Sequence, residues 1–144
     1  MNNQAPSITL SELPSIANSF NLPIMLHSET SNFSEIKTIF ENADFVFKYF
    51  DLYNIQVPIE SVLTIPVLPV NGHKKTVFFF DNIDSVDPVS FRAIFSHILN
   101  ESEETFYTKD DTLIFSTYSW GNSSIPTPII NRMVHFNCKW TLLF

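Results

Sequence analysis

Four consecutive apolar residues, Val77 to Phe80, followed at once by Asp81-Asn82, constrain this chain more than any other stretch. A strand with one wet face alternates apolar and polar residues. An unbroken run implies a strand covered on both faces, which is the condition of a strand inside an α/β sheet. Such a strand needs a layer above it and a layer below it. Its acid falls at the carboxyl end, where open α/β sheets bind their ligands. The plainer reading of Asp81, and of Asp84 two residues beyond Asn82, is that these acids cap the next helix or pair with a cation.

The chain has 144 residues and 44% hydrophobic content with 15 Phe, enough for one domain around one core. We expect a single domain over residues 1–144, with residues 1–9 flexible. No apolar run approaches the ~20 residues of a membrane-spanning helix, and the N-terminus has no signal-peptide pattern. Cys138 is the only cysteine, so a reducing, cytoplasmic setting is expected and no membrane partner. The net charge of −7, with eight basic residues that do not cluster, argues against direct nucleic-acid binding. Two glycines, Gly72 and Gly121, are few against an average near 7%. Any phosphate cradle built from glycine backbone is therefore compromised.

Helical and strand patterns alternate along the chain. Thr9 to Phe20 reads as a helix with Ser11 as its N-cap and Leu13, Ile16, Ala17 and Phe20 on one stripe. Ile24 to Leu26 is a short buried strand, followed by polar residues from His27 to Asn32. A helical pattern then runs from Ser34 to Phe40. Phe45 to Leu52 suits a strand, and Val57 to Val70 a short helix and a proline-limited connection. After the central strand, Asp87-Pro88 starts an amphipathic helix with Phe91, Ile94, Phe95, Ile98 and Leu99 inward. Thr112 to Thr117 is a further strand. Val134, Phe136, Cys138, Trp140 and Leu142 alternate, which predicts a half-buried last strand. The expected fold is α/β, three-layered, with a mostly parallel central sheet of about five strands and flanking helices.

In this order the motifs resemble the AAA+ ATPase core, a P-loop NTPase architecture, over about residues 10 to 144. VFFFDNID resembles its Walker B strand, which would put Asp81 in the magnesium-holding position. LIFSTYS resembles the sensor-1 strand, with Thr117 or Ser119 at its polar tip. SSIPTPIINRM is similar to the segment that carries the arginine finger in clamp-loader subunits, and places Arg132 there. MoxR-type ATPases have a comparable order of motifs. The chain ends where the family's helical lid would begin, so a core with no lid is expected.

The Walker A position departs from the family. Laid over GxxGxGK[ST], the stretch LPIMLHSETSNFSEI puts His27, Thr30 and Asn32 on the glycines and Phe33 on the lysine. Only Ser34 matches, on the Ser/Thr. Side chains would obstruct the approach of backbone N–H groups to phosphate, and no cation stands in for the lysine. Lys37 lies a turn into the helix and faces elsewhere. Asn82 replaces the catalytic glutamate of Walker B, and an amide cannot take a proton from water as a carboxylate does.

The resemblance therefore implies a degenerate, non-hydrolysing AAA+-like module with no cofactor, which acts on a protein partner. That partner would be an AAA+ ATPase or another copy of this chain, with Arg132 donated in trans. Ser34 and Asp81 would line only a weak nucleotide site. ATP and magnesium, the latter on Asp81, enter only under the alternative of a divergent ATP-binding ATPase. A viral accessory protein of AAA+ ancestry is a third reading. Each residue also has a structural role available. Ser34 can cap its helix, Thr117 can satisfy a backbone carbonyl, and Arg132 can pair with an acid of the Glu101–Asp111 segment. Cys138 reads as core, the four histidines show no metal-ligand spacing, and no G-x-S-x-G elbow exists.

Overall fold

The computed structural model describes residues 6–19, 22–27, 33–52, 75–83, 94, 96, 111–117 and 131–139. Six strands are present among them: β1 Ser7–Thr9, β2 Ile24–His27, β3 Val46–Asp51, β4 Thr76–Asp81, β5 Thr112–Thr117 and β6 Val134–Lys139. They form one sheet in the order β1-β6-β2-β5-β4-β3, and every adjacent pair is parallel. A short 3-10 turn, Leu10–Glu12, leads into α1, Leu13–Ser19, while α2 spans Phe33–Asn42.

The apolar run behaves as its composition demands. Val77, Phe79 and Phe80 are fully buried, and strand β4 lies between β3 and β5. Side chains alternate between the two faces of a strand. On one face Val77, Phe79, Ile114, Ile24 and Leu26 share a core with Leu13 and Ala17 of α1 and Ile36 and Phe40 of α2. On the other face Phe80 stacks between Phe50 and Phe115, with ring centroids 4.9 Å apart on either side. Both faces are thus covered, as parallel sheets require.

Helix α2 ends in a Schellman turn. Phe45 N–H donates to the Phe40 carbonyl (3.0 Å) and Asp44 N–H to the Glu41 carbonyl (3.1 Å). Asp44 takes the left-handed position that glycine usually fills, at φ 68°. The accompanying hydrophobic contact is the edge-to-face pair Phe40–Phe45, 5.3 Å between centroids.

Several expectations are corrected. Residues 7–9, expected to be flexible, form β1, which pairs with β6 through Ile8 and Cys138. Strand β6 consequently lies between β1 and β2, and Asn137 on its supposedly wet face is buried. The first helix is capped by Thr9 and not Ser11: the Glu12 carboxylate accepts the Thr9 N–H at 3.2 Å and its hydroxyl at 2.9 Å. His27 belongs to β2 and is buried. Ser34 lies inside the first turn of α2 and is not its N-cap. Cys138, by contrast, is in the core as expected, where burial raises its thiol pKa to about 11. Of the amphipathic helix beyond Asp87, Ile94 and Ser96 are described, both helical, with Ile94 fully buried. The expected helix near Glu60, Asp84, the remaining helix residues, the segment before Asp111, Ser119 and the prolines before Arg132 lie outside the described residues.

Candidate functional site

In a parallel sheet all carboxyl ends lie on one side, and here they bring together His27, Asp51, Asp81 and Thr117. Strand β2 leads to β3 on one side of itself, and β5 leads to β6 on the other. The crevice between β2 and β5 is therefore the topological switch point, the usual ligand position in open α/β sheets.

Asp81 is 2% exposed. A buried carboxylate needs partners to offset the loss of water, and three donors converge on it. The Tyr49 hydroxyl of β3 donates to Oδ2, and the Ser116 hydroxyl of β5 donates to Oδ1. The backbone N–H of Asn82 donates to the same Oδ1 at 3.0 Å and also approaches Ser116 Oγ at 3.3 Å. The register accounts for both side chains. Ser116 follows Phe115, the partner of Phe80, so it stands opposite Asp81 on the same face. Tyr49 pairs with Phe79, so it reaches Asp81 along the diagonal. Thr117, singled out in the sequence, lies on the opposite face and is buried beside β2 in register with His27. The hydroxyl that meets Asp81 is that of its neighbour.

Asn82 adopts left-handed backbone, φ 60°. Its side-chain amide donates to Asp51 Oδ1 at 2.9 Å. The amide is thus directed toward β3, away from the switch point between β2 and β5.

On the other side of β2, between β2 and β6, lies a histidine pair. His27 Nε2 lies 3.0 Å from His135 Nδ1, with ring centroids 5.2 Å apart. Burial, reinforced by the neighbouring His135, lowers the pKa of His27 to about 4. The two residues are 108 positions apart in sequence. Only the parallel pairing of β2 with β6 brings them together, and Met25↔His135 is one of its register pairs. No group of three or more metal-type ligands occurs among the described residues.

Ser34 is exposed in the first turn of α2, and Lys37 is exposed one turn on. Arg132 is exposed in the turn that precedes β6, at the amino ends of the strands. From Asp81 it is three strand spacings across the sheet and four residues down, roughly 20 Å by strand geometry. It does not belong to the same cluster.

Magnesium, which the Walker B resemblance implies for Asp81, takes six oxygens at about 2.0–2.1 Å and usually keeps several waters. A buried carboxylate whose two oxygens already accept three protein donors does not fit that role.

No protein-family profile and no curated protein matches the sequence. Solved structures do match. The Thermotoga maritima RuvB Holliday junction branch migration motor aligns with a TM-score of 0.58 and 14% identity, covering 90% of this chain and 44% of that one. A lysine-to-arginine mutant of T. maritima RuvB aligns with a TM-score of 0.53 and 13% identity, over 88% of this chain and 44% of that one. The chain thus spans less than half the length of the proteins it matches. At such identities the likeness speaks to architecture, and it agrees with the motif order: the protein has the fold of the AAA+ ATPase core.

Proposed function

We propose that the protein is a non-hydrolysing AAA+-like module that works through protein–protein contact. The observation that carries this reading is Asn82. At the position where hydrolysing relatives of the fold orient water with a glutamate, this chain has an amide, and that amide is held by Asp51 at 2.9 Å. It has neither the basicity nor the orientation for a general base. The degenerate Walker A sequence points the same way.

The module's contribution to a partner is Arg132. A subunit that has lost its own phosphate cradle can still supply an arginine across an interface, because that requires only an exposed, well-placed turn. In other NTPases such an arginine contributes 10³–10⁵ in rate. The partner is an AAA+ ATPase or a second copy of this chain. The test is affinity capture with mass spectrometry, followed by ATPase assays of the captured partner with and without this chain. Stimulation by the wild-type chain and none by Arg132→Ala, with unfolding temperatures alike, is expected. Equal stimulation by both would remove the arginine-finger role.

A further inference from the structure

We infer that Tyr49 takes the place of a metal at Asp81, so that the carboxyl ends of β3, β4 and β5 are closed by a hydrogen-bonded lock that excludes divalent cations. The aim of the phenol is fixed by packing. The Tyr49 ring stacks on Phe79 with centroids 5.9 Å apart and planes 13° apart, and on Phe47 at 6.2 Å and 26°. Phe47 stacks in turn on the buried Phe40 of α2 at 5.9 Å. A ring held in such a column gives up its stacking contacts if it swings aside. Its hydroxyl is delivered to Oδ2 while Ser116 and the Asn82 N–H occupy Oδ1. The backbone completes the closure, since Leu52 N–H donates to the Asp81 carbonyl at 3.0 Å and Asn82 Nδ2 ties Asp51 to the same tip.

A cation bound at Asp81 would have to displace at least one of these donors from its acceptor in a buried or part-buried setting. Hydrogen bonds to a carboxylate are the stronger kind, so the exchange is unfavourable for an ion that also resists dehydration. The lock explains why an acid can stay buried at this tip where the resemblance would have a metal. It also gives Tyr49 and Ser116 a role that strand patterning does not reveal.

The probe is Mn²⁺ without nucleotide, followed by amide NMR of the wild-type chain. Paramagnetic broadening would report binding at the tip through the Asn82 and Leu52 amides. We expect no selective, saturable broadening of either resonance at millimolar Mn²⁺. We also expect Tyr49→Phe, which keeps the stacked ring, to lower the unfolding temperature by several degrees, on the order expected for one part-buried charge-assisted hydrogen bond. Selective saturable broadening at these two amides would overturn the lock, as would a Tyr49→Phe protein as stable as the wild type. Mn²⁺ binding without ATP turnover would sink the lock and spare the non-hydrolysing reading, so the two can fail separately.

Discussion

His27 sets a pH dependence of stability. Its pKa in the folded state is about 4, lowered first by burial and then by His135, against 6.5 for an ordinary histidine. Between those values the unfolded chain binds a proton that the folded chain refuses. Stability contributed by neutral His27 is therefore complete above about pH 6.5 and is lost as pH falls toward 4. Each pKa unit corresponds to about 1.4 kcal/mol, so a loss of roughly 1–3 kcal/mol is expected across the window. Denaturant titrations from pH 7 to pH 5 should show the start of this decline in the wild type and a flatter profile in His27→Gln. Parallel profiles would assign the decline to other groups. At this scale the sequence reveals identity but not company. Asp81 and Asn82 stand out because they interrupt an apolar run. Tyr49, Ser116 and His135 do not, because their importance comes from register between strands tens of residues apart.

Helix and strand cores are legible in the sequence for a physical reason. Strands β4 and β5 are unbroken apolar runs with polar ends, so burial and length coincide. Strand β1 is three residues with only Ile8 buried, and it exists by pairing with β6, which local patterning cannot show. Without β1 beside it, β6 has the pattern of a half-exposed strand. Phe79→Ala, which empties a fully buried site beside the Phe47 and Tyr49 rings, should cost about 3–5 kcal/mol. Asn82→Ala should cost less, about 1–2 kcal/mol, through the left-handed backbone and the part-buried bond to Asp51. Chemical denaturation that gave the two equal costs would contradict the burial of β4. At the end of α2, Asp44→Gly should stabilise by about 0.5–1 kcal/mol, because glycine accepts φ 68° without a Cβ penalty. A destabilised variant would show that the Asp44 side chain matters more than its backbone.

For the whole molecule, the decisive relation is between the two ends of the sheet. The carboxyl ends hold a closed polar cluster at Asp81 and a buried histidine where the fold's phosphate loop would begin. The amino ends present Arg132. Roughly 20 Å separates Arg132 from Asp81 by strand geometry, so the two do not share one site. The first half of that picture predicts loss of nucleotide affinity. Removing two or three charge-assisted hydrogen bonds, each worth roughly 1.5–3 kcal/mol, weakens binding by about three orders of magnitude or more. Isothermal calorimetry with ATP-Mg, run beside a phosphate-release assay on the same preparation, tests this most directly. The account predicts no saturable heat below about millimolar ATP and no turnover above background. Micromolar affinity, or turnover that disappears in Asp81→Asn, would contradict it.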